Sequence, residues 1–181
     1  MKKKIRKKLI YIRKKNYLDI SEKQIYYISE FINKNYKNKK IIGGYIPINF
    51  EYDSLNLLKL LQTKKYLISL PVIKKNFKMD FFKYSFDEPL YVNKLGILEP
   101  SKLSKILMPD LIFVPLVGFD NNLNRLGYGG GFYDRYFEKS SKFKKIVKIG
   151  LAFSFQKIKK LPVNKFDKKL DMIITEKDFF I

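Results

Sequence analysis

The stretch that most constrains this chain is Arg125 to Arg135, RLGYGGGFYDR. Four of its nine glycines fall here, at Gly127, Gly129, Gly130 and Gly131. Glycine reaches positive φ and admits close backbone approach, at an entropic cost that disfavours such a cluster unless the loop is used. The apolar run Leu111 to Val117, LIFVPLV, reads as a buried strand and leads in through the turn GFDNNLN. FYDRYFEK beyond it reads as the first turns of a helix. Strand, glycine loop and helix start together aim backbone N–H groups at an anion. Arg125 and Arg135 frame the loop, and Asp134 lies inside it. A phosphate with a divalent cation would use all of these features, whereas a plain tight turn would use the glycines alone. Both readings stand at this point. No Gly-Lys-Ser/Thr follows, so the loop is not a P-loop.

The residues that are missing narrow the chemistry. Without cysteine there is no disulfide, thiolate metal site or thiol nucleophile. Without histidine there is no Ser-His triad and no imidazole proton shuttle. Any reaction must rest on carboxylates, amines, hydroxyls, a metal or the substrates themselves. No apolar run approaches the length of a membrane span. The basic start MKKKIRKKLIYIRKK encloses an apolar segment too short for a signal peptide, so a cytoplasmic location is expected.

A net charge of +21 invites a nucleic-acid reading. Lysine, however, is spread along the whole chain together with Ile, Asn, Phe and Tyr, as compositional bias in an AT-rich genome would produce. No aromatic-and-basic stacking motif of RNA modules is present, so no nucleic-acid partner is expected. Arginine behaves differently. Of 38 cationic side chains only Arg6, Arg13, Arg125 and Arg135 are arginines, which points to a need for the planar, bidentate guanidinium.

Along the chain, residues 2–15 read as an amphipathic helix with Ile5, Leu9 and Ile12 on one face. Lys2, Arg6 and Arg13 share a side, but nine of the first fifteen residues are basic, which favours a solvated face. Ser21 to Gln24 is a capping box opening a helix to about Tyr36. Ile41–Ile46 reads as a strand ended by Pro47. A helix carrying Leu55, Leu58 and Leu61 follows, and Glu51 lies in the loop between, beyond a strand's carboxyl end. Tyr66–Ile73 is a buried-type strand, and Phe77, Met79 and Phe81 alternate as in an antiparallel or edge strand. Residues 90–109 look irregular. Lys145–Phe153 and Leu170–Thr175 complete the strands. Helices alternate with strands without repeats or linkers, which predicts one α/β domain over residues 1–181 with a largely parallel sheet. The carboxyl ends of its strands would gather Glu51, the glycine loop and Asp171 on one side.

With these blocks in order, the sequence resembles the 5-formyltetrahydrofolate cyclo-ligase (5,10-methenyltetrahydrofolate synthetase) family. The likeness runs through the Lys2–Arg6 helix start, YIPINFE, GILEP, PDLIFVPLVGFD, NRLGYGGGFYDR, IGLAF with Gln156, LPVNKFD and LDMIIT. It implies a three-layer α/β fold with a mixed sheet. It also implies an enzyme that couples ATP hydrolysis to ring closure of 5-formyltetrahydrofolate, releasing ADP and phosphate. A formamide oxygen leaves poorly, so transfer of the γ-phosphoryl to it would activate the carbon for attack by N10. Such catalysis is positioning and charge neutralisation.

The resemblance further implies site residues. Lys2, Arg6 and the loop Arg125, Leu126, Gly127, Tyr128, Gly129, Gly130, Gly131, Phe132 and Tyr133 match the ATP contacts. Ile46 and Glu51, with the loop from Tyr128 to Phe132, match the folate side, and Arg125 and Tyr133 are the catalytic candidates. Asp134 and Asp171 match the ligands of Mg²⁺, the implied cofactor, with Asp167 as rival to Asp171. ATP is the co-substrate, and the abundant lysines suit a polyglutamylated folate. A monomer is expected. Many relatives carry a tryptophan on the pterin side; here there is none, leaving Phe81, Phe82 or Phe166 as the aromatic wall. A non-catalytic nucleotide- or RNA-binding module and a kinase of another small molecule are the alternatives.

Overall fold

The computed structural model describes residues 1–181. In chain order the elements are α1 (Lys2–Lys15), α2 (Glu22–Asn35), β1 (Ile41–Gly43), α3 (Leu55–Thr63), β2 (Leu67–Lys74) and β3 (Lys78–Tyr84). Three two-residue strands follow: β4 (Tyr91–Val92), β5 (Leu98–Glu99) and β6 (Ile106–Leu107). Then come β7 (Leu111–Pro115), the hairpin β8 (Gly118–Phe119) and β9 (Arg125–Leu126), α4 (Phe132–Ser140), β10 (Val147–Leu151), β11 (Met172–Ile174) and β12 (Phe179–Phe180).

Eight strands form the main sheet in the order β12-β11-β10-β7-β1-β2-β3-β6. The five central ones are parallel, while β12 on one flank and β3 on the other are antiparallel to their neighbours. The expected mixed, largely parallel α/β sheet is therefore present. Both faces of β7 are buried, as its unbroken apolar run requires. Leu111 and Phe113 join the side chains of α2 and α3 on one face, while Ile112 and Val114 meet Tyr136 and Phe137 of α4 on the other. The sheet thus has helices on both sides, which makes three layers. At the end of the sheet, α1 packs Leu9 against Val117, Leu126 and Leu161.

Several local expectations change. Pairing in β1 stops at Gly43 rather than Ile46. A Cβ on Gly44 would lie 2.2 Å from a methyl carbon of Leu58, so the chain passes too close to α3 for any larger residue. In α3 the buried positions are Leu57, Leu58 and Leu61, with Leu55 only half-buried at the first turn. β3 is antiparallel, as the alternation allowed, but it is not an edge, because β6 covers it, and Phe77 lies outside the strand at positive φ and is exposed. The Ser21 hydroxyl does accept from the Gln24 N–H at 3.3 Å, yet the Gln24 side chain donates to the Thr175 carbonyl and leaves the capping box half made.

The hairpin β8–β9 also stands between β7 and the glycine loop. Its turn is tied by Asp120, whose carboxylate accepts from the N–H groups of Asn122, Asn124 and Leu161 and from the Asn124 amide. Those hydrogen bonds hold its pKa below the ordinary value despite burial.

Candidate active site

Beyond the carboxyl ends of β1 and β7 lies a cavity of about 1050 Å³, where open α/β sheets bind ligands. That is roughly the upper limit for one drug-sized ligand, so there is room for two substrates. One wall is the glycine loop. The N–H groups of Gly127, Tyr128, Gly129, Gly130 and Gly131 donate to no protein acceptor, and all five residues line the cavity. Gly129 sits at φ +107° and Gly131 at φ +66°, conformations that L side chains rarely adopt. Gly131 also caps the amino end of α4, so the positive end of that helix opens at the same place.

Cations surround this wall. Arg6 donates through Nε to the Gly127 carbonyl at 2.7 Å, and Arg135 grips the carbonyls of Phe77 and Gly130. The Arg125 guanidinium is 5% exposed, lies 5.3 Å over the Tyr133 ring and donates to Asp134 at 3.1 Å. Lys2 reaches Asp167 at 2.5 Å. Asp134 also accepts from the Lys168 N–H, so the loop around Asn164–Lys168 closes the floor beside it. Asp134 and Asp167 each use one carboxylate oxygen in these bonds, leaving the other for a ligand.

The opposite wall is apolar: Ile46, Ile48, Pro71, Ile73, Met79 and Leu98. Within it stands Glu51, 3% exposed. Its Oε2 accepts from the Ile48 N–H at 2.9 Å, but its Oε1 is buried with no partner. Burial pushes its pKa up to about 7, against the pull of the Ile48 N–H, Arg13 and Tyr128. The Tyr133 hydroxyl is likewise buried and unpaired, and burial raises its pKa, so it stays protonated at neutral pH. A buried acceptor and a buried hydroxyl, each without a partner, are costly unless something binds them.

A sequence model of the 5-formyltetrahydrofolate cyclo-ligase family matches residues 1–176. The chain belongs to that family. It is 34% identical to the 5-formyltetrahydrofolate cyclo-ligase of Haemophilus influenzae over 140 residues, which is 74% of each chain. It is 33% identical to that of Mycoplasma genitalium over 136 residues, 75% of this chain and 72% of the other. The solved 5,10-methenyltetrahydrofolate synthetase of Aquifex aeolicus superposes with TM-score 0.74 at 30% identity, covering 98% of this chain and 91% of that one.

In this cyclo-ligase family member the cavity collects nearly all the residues expected from sequence: Lys2, Arg6, Ile46, Glu51, every residue from Arg125 to Asp134, and Asp167. Asp171 is the exception. It stands at the amino end of β11, where it accepts from the Lys148 N–H at 2.8 Å, and the strand directions put that end of the sheet away from the cavity. Of the three phenylalanines, only Phe166 lines the cavity; Phe81 and Phe82 are buried elsewhere. The solvated reading of α1 also fails, because Arg13 is 1% exposed. Its arginine identity, rare in this chain, was the available sign. Tyr45 and Glu99, from the blocks YIPINFE and GILEP, join the lining without having been assigned a role, and Lys168 joins it without any prior sign. A second depression, lined by Lys74, Lys75, Lys78, Lys94 and Lys102, abuts the cavity through Ile73 and Leu95.

Glu51 generates a stability prediction. The unfolded carboxyl titrates near its ordinary 4.5 and the folded one near 7. Folding therefore retains a proton between those values, and this group's contribution is full below pH 4.5 and is lost as pH rises through 7. Glu51→Gln removes the effect. From pH 4.5 to 8, denaturant unfolding should show the variant gaining roughly 3 kcal/mol on the parent. A constant difference across that range would contradict the buried, proton-retaining carboxyl.

Proposed function

We propose that this chain closes the ring of 5-formyltetrahydrofolate to 5,10-methenyltetrahydrofolate at the expense of ATP. The observation that carries the reading is the row of five unpaired N–H groups, Gly127 to Gly131, beside Arg6 and Arg125. Such a row fits the phosphates of a nucleotide. The apolar wall with the unpartnered Glu51 Oε1 fits a flat heterocycle that donates N–H groups, which describes the pterin. The cavity is continuous, so the two ligands would meet near Arg125 and Tyr133.

The formyl oxygen attacks the γ-phosphorus, ADP departs, and the formyl carbon becomes an activated imidate-type ester. N10 then attacks that carbon, loses its proton, and phosphate leaves with the former formyl oxygen. The substrates supply both nucleophiles, so a chain without histidine or cysteine loses nothing. Its own part is placement and charge. Lys2, Arg6 and the loop N–H groups hold the polyphosphate, with Leu126 and Phe132 shaping the loop's two ends. Arg125 neutralises charge that develops on the transferring phosphoryl. Tyr133 donates its unpaired hydroxyl toward the formyl group. Ile46 and Glu51 seat the pterin, and Tyr128 to Phe132 lie between the two ligands.

Mg²⁺ fits the residues present. No three acidic side chains cluster closely enough to hold a metal alone. Asp134 and Asp167 nevertheless each keep a free hard oxygen at the phosphate wall, and Mg²⁺ is commonly held by one or two carboxylates together with substrate phosphates. Bound there, it would offset polyphosphate charge.

The direct test follows methenyl absorbance together with phosphate release from 5-formyltetrahydrofolate and MgATP. Product should require both ATP and Mg²⁺, and a stable phosphorylated product would mark a kinase instead. Arg125→Ala should lower kcat about 100-fold or more, as loss of a preorganised transition-state donor does. A near-parental rate would remove Arg125 from the chemistry. Asp134→Asn and Asp167→Asn should raise the Mg²⁺ needed for half-maximal rate, while Asp171→Asn should leave that titration unchanged. Sensitivity of Asp171→Asn alone would overturn the choice of ligands.

A further inference from the structure

Arg13 lines neither wall of the cavity and touches no position assigned to a ligand contact except Tyr128. It is nonetheless the only fully buried cation in the protein, at 1% exposure, on a helix crowded with solvent-facing lysines. A buried guanidinium persists only when its N–H groups are used. Here Nη1 donates to the Leu116 carbonyl at 3.0 Å, beyond β7, and Nε donates to the Asn49 carbonyl at 3.0 Å. Nη2 donates to the Tyr128 hydroxyl in the middle of the glycine loop. Three separate segments are thus tied to one planar fork, a task for which the single ammonium of lysine has the wrong geometry.

The Asn49 bond matters most. Asn49 and Phe50 occupy consecutive left-handed conformations, φ 49° and 60°, immediately before Glu51. Two such residues in a row are unfavourable for side chains of this kind and persist only where surroundings enforce them. Arg13 supplies part of that enforcement from behind, and the Ile48 N–H takes Glu51 Oε2 from the front at 2.9 Å. Glu51 Oε1 is then left without a hydrogen-bond partner in the protein.

We propose that Arg13 is a positioning residue that fixes both the direction and the charge of Glu51, through the Asn49 carbonyl and the Tyr128 hydroxyl. This rests on the reading that Glu51 receives the pterin. Because Tyr128 belongs to the loop assigned to the nucleotide, and Arg6 on the same helix holds Gly127, α1 ties the two halves of the site into one unit. Two ionisable groups act on the Glu51 carboxyl. Arg13 from α1 favours the carboxylate, and Tyr128 stands beside it from the loop. Tyr45 beyond β1 and Tyr133 of α4 also face it, with Asp53 close to Tyr45 and Arg125 to Tyr133. Arg13 is the only cation among those that act on Glu51 directly.

The test measures kcat/KM for 5-formyltetrahydrofolate across pH 5.5 to 8.5, a profile that reports groups of the free enzyme. The parent should show a limb rising with pH and a midpoint near the 7 of Glu51, absent in Glu51→Gln. Arg13→Gln should move that midpoint upward by about one unit, as loss of an adjacent opposite charge does. It should raise the folate KM roughly tenfold while the ATP KM stays within about twofold, the split expected when one charged hydrogen-bond network is cut.

In the Glu51→Gln background, Arg13→Gln should add little, since the two act as one unit. Tyr128→Phe removes only a hydroxyl and should move the midpoint in the same direction, which keeps the test decisive if Arg13→Gln fails to fold. Equal rises in both KM values, multiplying losses in the double variant, or a parental profile in Tyr128→Phe would each overturn the positioning role. A parental folate KM in Glu51→Gln would instead overturn the pterin reading and the Arg13 role with it.

Discussion

The structure depends on keeping a stretch of backbone open. Five successive N–H groups without a protein acceptor face the cavity, and they stay available to a ligand only if the loop cannot fold back to pair them. Arginine provides the restraint. Arg6 holds the Gly127 carbonyl and Arg135 the Gly130 carbonyl, while Arg125 pairs with Asp134 just beyond and Arg13 reaches only the Tyr128 side chain. All four arginines of the chain converge on one loop. With its carbonyls pulled outward, the loop leaves its N–H groups to the cavity, where a polyphosphate can replace the missing acceptors.

The restraint works because α1 is anchored independently. Leu9 fits where Gly118 leaves space, since a Cβ on Gly118 would lie 2.5 Å from a Leu9 methyl carbon. The same helix face then presents Lys2, Arg6 and Arg13 at successive depths, from the glycine-loop wall to the back of the apolar wall. A rigid helix carrying contacts to both halves is a simple way to hold two substrates in one orientation, the main source of rate in the proposed reaction, whose nucleophiles belong to the substrates.

Much of this was legible in the sequence, for physical reasons. Unbroken apolar runs such as LIFVPLV are required of strands covered on both faces, and the glycine cluster could not be spent on an ordinary turn without loss. The rarity of arginine pointed toward the site. Elsewhere the sequence was ambiguous. Nine basic residues in the first fifteen hid the burial of Arg13, because only tertiary packing separates one buried guanidinium from eight neighbours of like charge. Asp167 and Asp171 differ by four residues, yet strand direction carries them to different ends of the sheet. The hairpin β8–β9 and the two-residue strands β4 to β6 are too short to leave a periodic pattern.

The central claim concerns those five N–H groups, and amide NMR observes them one by one. Titrating uniformly ¹⁵N-labelled protein with MgATP, in the absence of folate, should shift the amide resonances of Gly127, Tyr128, Gly129, Gly130 and Gly131 together and to saturation. Saturable nucleotide binding that leaves all five unmoved would contradict the account.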